Sequence, residues 1–221
     1  MLLFVFGLIT LSVLGTKGDK DALLYRVDIS LPPVEGRDET ADILSIKKTV
    51  KGLTGVDVLF SFKELGNPKI VLVLDVEKAC SWPQLTGYLS SQGYVFSVEA
   101  LYHCSDYAQE LGVNIPKDMW ATSFGDEELI IDVNTFPVKE LSTLEYNNQM
   151  KWKFERDMDI LNSGQKGACF RTLAGFPVQL MYFAPVNSSG IDAIEEFVHA
   201  AGNLVSEITQ IQNLEYYTGQ C

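Results

Sequence analysis

The chain repeats itself. Tyr25-Arg26-Val27-Asp28-Ile29-Ser30-Leu31-Pro32-Pro33 lies over Leu129-Ile130-Ile131-Asp132-Val133-Asn134-Thr135-Phe136-Pro137 at an offset of 104. Both stretches carry Asp, a small polar residue and then Pro. Leu65-Gly66-Asn67-Pro68 matches Ala174-Gly175-Phe176-Pro177 at 109, and Val98-Glu99-Ala100-Leu101 matches Ile208-Thr209-Gln210-Ile211 at 110. Tyr107 then matches Tyr217. Offsets that drift one way are what loop insertions produce. Two repeats of about 100 residues make two domains rather than a solenoid.

Hydrophobic period and turn chemistry divide each half into six elements. In the first half, residues 22–31 alternate as a strand and 41–53 have helical spacing. Strands at 56–64 and 69–77 flank Gly66-Asn67-Pro68. A helix opens at Ser81-Trp82-Pro83-Gln84 and ends near Gly93, and a strand covers 94–102. The second half reads the same way. It has a strand at 128–136, a helix capped by Ser142 and Glu145 running to about Leu161, and strands at 168–173 and 178–184. A helix at 190–201 and a strand at 204–212 complete it. The order βαββαβ, twice, predicts an α+β chain of two tandem ferredoxin-like repeats, residues 16–125 and 126–221. Each sheet keeps helices on one face only, so the bare faces are expected to bury one another as an intramolecular α+β barrel. A monomer is sufficient to close it.

Ala22-Leu23-Leu24-Tyr25-Arg26-Val27-Asp28-Ile29-Ser30-Leu31-Pro32 resembles the first strand of muconolactone isomerase-like proteins of the dimeric α+β barrel superfamily. The resemblance implies two ferredoxin-like units packed sheet to sheet. That superfamily holds isomerases, cofactor-free monooxygenases, cyclases, haem enzymes and members without known chemistry.

Three features point to export, which departs from the superfamily's usual intracellular setting. Residues 1–15, MLLFVFGLITLSVLG, read as a signal peptide cut before Thr16; a buried N-terminal strand is the alternative. Asn187-Ser188-Ser189 is a glycosylation sequon in a Pro/Ser/Gly loop. Cys80, Cys104, Cys169 and Cys221 suit two disulfides. In a βαββαβ unit the second helix starts at the end of the sheet where the fourth strand finishes. That pairs Cys80 with Cys104 and leaves Cys169 for Cys221. Seventeen basic against 29 acidic residues give a net charge of −12, which excludes nucleic acid and disfavours anionic membranes.

Alternation along the first strands sends Arg26 and Asp28, and with them Asp132 and Asn134, into the space between the sheets. Two carboxylates there are candidate proton carriers, Asp28 and Asp132, because burial raises a carboxyl pKa toward acid/base use. Arg26, Asn134, Arg171 and His103 are candidate ligand contacts, with Glu99, Gln179 and Thr209 beside them. The plainer account is that Arg26 pairs with Asp28 structurally and that either lone histidine, His103 or His199, packs or is solvated. No Walker, G-x-G-x-x-G, H-E-x-x-H or G-x-S-x-G motif occurs, so no cofactor and no metal is expected. The reading is a secreted protein that encloses a small, partly apolar organic ligand between two sheets, with cofactor-independent, isomerase-like acid/base chemistry open to it. The alternative is a non-catalytic acidic extracellular protein: a matrix, mineral-associated or signalling component.

Overall fold

The computed structural model describes residues 24–136, 141–174, 177–186 and 205–219. Outside them lie the apolar leader at 1–15, Asn187, the helix expected at 190–201, His199 and Cys221. The first repeat runs β1 (Leu24–Ser30), α1 (Glu39–Lys51), β2 (Val56–Glu64), β3 (Lys69–Val76), α2 (Trp82–Ser91) and β4 (Val95–His103). A short helix, α3 (Cys104–Glu110), follows. The second repeat runs β5 (Leu129–Thr135), α4 (Thr143–Asn162), β6 (Ala168–Thr172), β7 (Gln179–Pro185), β8 (Val205–Asn213) and a final turn of helix, α5 (Leu214–Tyr217). Helix starts follow their caps. The Asp38 carboxylate accepts from Thr40 N–H and Ala41 N–H at α1, and Ser142 and Glu145 form a reciprocal capping box at α4.

All eight strands join one closed antiparallel barrel in the order β1-β3-β2-β8-β5-β7-β6-β4. Closure leaves no free sheet ends, the usual hazard of an open sheet. The halves meet at two seams that mirror each other. At one, Leu101, Tyr102 and His103 of β4 pair with Thr172, Arg171 and Phe170 of β6. At the other, Ile211, Gln212 and Asn213 of β8 pair with Glu64, Lys63 and Phe62 of β2. The mirroring extends to side chains. Arg171 lies over the Tyr107 ring, and Lys63 lies over the Tyr217 ring. His103 caps α3 through Nδ1, which accepts from Ser105 N–H, and Asn213 Oδ1 caps α5 by accepting from Glu215 N–H.

Three apolar cores result. The barrel axis is filled by Phe60, Phe62, Phe124, Phe170 and Phe183, with contacting ring centroids 5.0–6.1 Å apart. Val27, Ile29, Ile70, Leu72 and Leu74 pack outward under α1 and α2. Met150 and Phe154 of α4 pack with Phe136 and Leu180. Among the described residues no helix is long and apolar enough to cross a membrane.

The cysteine pairing differs from the expectation. Cys104 bonds Cys169, with Cα atoms 5.4 Å apart, and Cys80 is exposed and unpaired. The reason is barrel closure. The last residues of β4 lie beside β6 of the other repeat, so Cys104, opening α3, meets Cys169 across the seam rather than Cys80 within its own repeat.

Candidate functional site

Arg26 and Asp28 face the barrel interior as alternation predicts. Arg26 Nε donates to Asp28 Oδ1 at 2.8 Å and Nη1 reaches Met181 Sδ across the barrel at 2.9 Å. Lys69 Nζ lies 3.8 Å from Asp28 and 3.3 Å from Glu64. Glu99 is opposite Arg26, and burial holds its carboxyl above the usual range. Asp28 is therefore the paired member of an ion network at the end of an aromatic-filled barrel.

Asp132 and Asn134 are on the other face of the wall. Leu129, Ile131 and Val133 line the barrel, so Asp132 and Asn134 point outward toward α4. The cause is one residue of register. Val27 pairs with Val98 and Asp132 with Ile208. Val98 and Ile208 are the equivalent residues of the two last strands, so Asp132 matches Val27, an offset of 105 rather than 104. A slip of one turns every side chain to the opposite face. The Asp-x-polar-x-x-Pro match aligned the sequences but not the strands. Arg171 also differs from expectation. Phe170 faces inward, so Arg171 faces out, 4.3 Å over the Tyr107 ring. His103 is at the barrel wall against Trp120 and Phe170, and burial lowers its pKa. The six nominated residues thus fall into separate places: Arg26 with Asp28 inside the barrel, Asp132 with Asn134 outside it, and Arg171 and His103 at the β4–β6 seam.

Around Asp132 the second repeat assembles a buried ionisable cluster. The Asp132 carboxylate, 2% exposed, accepts from Ser206 Oγ and from Asn134 Nδ2, both at 2.6 Å. Tyr182 is its cross-strand partner. The Tyr182 hydroxyl donates to Asp157 Oδ2 at 2.9 Å, and Lys153 Nζ donates to Asp157 Oδ1 at 3.1 Å. Lys153 also rests 4.0 Å from the centre of the Tyr182 ring. Burial raises the pKa of Asp132, an effect the Ser206 and Asn134 hydrogen bonds and the nearby Lys153 charge partly offset. Burial likewise pushes Tyr182 well above its ordinary value. A cavity of about 90 Å³ opens on Asp132, Lys153, Asp157 and Tyr182, with Trp120 and Phe183 among its apolar walls. Burying three charges is costly unless each is matched, and Lys153 with Asp157 already balance. Asp132 is the third charge, held by Ser206 and Asn134 and near Lys153, with Arg156 and Lys166 also on the cavity wall.

The fold does not need this cluster. At the equivalent place in the first repeat, Val27 pairs with Leu72, and both are buried in an apolar core. Lys153, Asp157, Tyr182 and Ser206 escaped the sequence reading. The available signal was on α4, where Tyr146, Met150, Lys153, Phe154 and Asp157 form its buried stripe, so two charges occupy apolar positions.

No family model and no curated protein matches the chain. Solved structures do. A putative chlorite dismutase superposes with a TM-score of 0.57 at 9% identity, over 90% of this chain and 99% of that one. Chlorite dismutase from Candidatus Nitrospira defluvii, in complex with imidazole, gives 0.55 at 10% identity over 90% and 95%. These neighbours are dimeric α+β barrel proteins, and what the chain shares with them is the fold.

Haem enzymes occur in that superfamily, and haem needs an axial side chain on a cavity wide enough for the macrocycle. Among the described residues, His103 borders neither cavity and its Nδ1 is committed to α3. Cys104 and Cys169 are joined, and the Tyr182 hydroxyl is held by Asp157 in a space of about 90 Å³. The described residues do not fit haem. Nor do any three His, Cys, Asp or Glu among them group as metal ligands.

Proposed function

We propose that the protein binds a small, partly apolar organic molecule behind α4 and moves a proton to or from it with Asp132. The observation that carries this is the cluster of Asp132, Lys153, Asp157 and Tyr182 on a cavity whose twin site is apolar. Perturbed titratable groups gathered at a cavity are the physical mark of acid/base chemistry. Asp132 would take a proton from a carbon next to a carbonyl. Lys153, oriented by Asp157, would stabilise the enolate oxygen that develops. Asn134 and Ser206 would hold the carboxylate in place. This keeps cofactor-independent, isomerase-like chemistry but moves it from between the sheets to the outer face of the second one. Secretion is part of the proposal. It is supported by the apolar leader and by a disulfide in the fold, which persists in an oxidising compartment.

The test is deuterium uptake at the α-carbon of pyruvate and acetoacetate, followed by proton NMR in D2O. Asp132→Asn should slow it by about 10²–10⁴, the range a general base supplies. Uptake no faster than in buffer, or equal in the variant, removes the reading. The aromatic filling of the barrel favours the second reading, a non-catalytic acidic extracellular protein. Native mass spectrometry showing no bound small molecule, together with no uptake, would support it over the first.

A further inference from the structure

The two seams occupy equivalent places in the two repeats, yet they are closed differently. At the β4–β6 seam, Cys104 follows His103 and Cys169 precedes Phe170, and the two cysteines are bonded. Beyond the last pair, Ala121 N–H donates to Gly167 O at 2.7 Å, and Trp120 packs on His103. At the β2–β8 seam, the matching residues are Leu214, which follows Asn213, and Ser61, which precedes Phe62. They share no bond. Past Phe62, β2 continues back to Val56 with no pairing from β8. A bulge between Val58 and Phe60 leaves Leu59 without a partner on β3 and 38% exposed. A cavity of about 290 Å³ fills this gap, and both Ser61 and Leu214 line it. That is close to the roughly 300 Å³ at which small-molecule sites begin.

The lining defines the ligand. Ile46, Val50, Phe60, Phe62 and Leu72 form an apolar floor. The rim holds Lys47 and Lys51 against a single acid, Glu215. Lys47 Nζ is 3.0 Å from Glu215 Oε2 and 3.0 Å from Thr218 Oγ1, and Lys51 Nζ is 2.6 Å from Glu215 Oε1. Two cations and one anion leave one positive charge, in a chain whose net charge is −12. We propose that the open β2–β8 seam is a binding site for an organic monoanion with an apolar body, such as a chain or aromatic carboxylate. The site is separate from the cavity behind α4 and does not depend on the reading given to it.

The probe is 8-anilinonaphthalene-1-sulfonate, titrated by fluorescence into the full chain. One saturable site is expected, displaced by octanoate and not by octylamine. The Ser61→Cys/Leu214→Cys double variant copies the closed seam. Its bridge is read as a loss of two hydrogens in the intact mass, and binding should fall at least tenfold. Lys51→Glu, on an exposed side chain that leaves the core untouched, should weaken binding by about tenfold, since a decade corresponds to about 1.4 kcal/mol. It keeps the test decisive if the double variant does not fold or bridge. Equal displacement by the anion and the amine overturns the proposal, as does affinity unchanged in Lys51→Glu or in the bridged variant.

Discussion

Asp132→Asn separates a residue kept for chemistry from one kept for stability. Asp132 accepts two hydrogen bonds, and the cation nearest it, Lys153, donates its hydrogen bond to Asp157. Asn134 Oδ1, buried alongside, has no hydrogen-bond partner among the described residues. The new amide keeps one acceptor for Ser206 or Asn134. It also brings an N–H that a flipped Asn134 can accept, which satisfies the orphaned oxygen but leaves Asn134 Nδ2 in its place. The polar count is unchanged, so the difference is the buried charge itself; removing buried charge is often neutral or stabilising by about 1–4 kcal/mol, and the variant should gain about 1–2 kcal/mol at pH 7. For a chain of this length that raises Tm by roughly 2–8 °C at 2–4 °C per kcal/mol.

The pH dependence fixes the sign. Burial raises the folded-state pKa of Asp132 above its ordinary 3.8. A carboxyl raised on folding contributes its stability below its unfolded pKa and loses it as pH rises through the folded value. The advantage of the variant should therefore be smallest near pH 3.5 and grow toward neutrality. Urea unfolding of both proteins at several pH values measures it, and the difference cancels the titrations they share. A variant less stable than the parent by more than 1 kcal/mol at pH 7 would refute the argument. Asp132 would then be a structural ion-pair member.

Two other outcomes follow from the seams. Cys104→Ala/Cys169→Ala opens a loop of 65 residues, and the chain-entropy model puts the loss at about 4 kcal/mol, to be read by urea denaturation of the oxidised protein. His103→Asn should cost under about 1 kcal/mol by thermal unfolding, because Asn is as good a cap and Asn213 already serves at α5; His103→Ala should cost about 1 kcal/mol.

Strand and helix positions were legible in the sequence because they depend on period and punctuation. β2 spans the expected residues, and β1, β4, α4 and β7 begin or end within a few residues of expectation. The barrel was legible for the same reason: βαββαβ leaves one sheet face bare, and a second copy covers it. What failed was parity. Leu129-Ile130-Ile131 is a continuous apolar run, so it carries no alternation to say which face is the core. Asp-x-polar-x-x-Pro then offers an alignment one residue off, and it puts Asp132 on the wrong side of the wall. The seams failed for a different reason. Which strands of two repeats touch depends on barrel closure, a long-range fact, and the Cys104–Cys169 bond follows from it.

The same difference decides where function can reside in a duplicated barrel. The axis is shared by both repeats, and five phenylalanines fill it, so neither copy is free to change there without the other. The outer faces and the seams are duplicated, and each copy can diverge while its twin retains the original packing. Val27–Leu72 against Asp132–Tyr182 is one such divergence; Ser61 and Leu214 against Cys169 and Cys104 is the other. In each case one copy is packed or bridged and the other is polar or open. A search for this protein's ligands belongs at the two places where the halves disagree, behind α4 and at the β2–β8 seam, rather than along the axis where they agree.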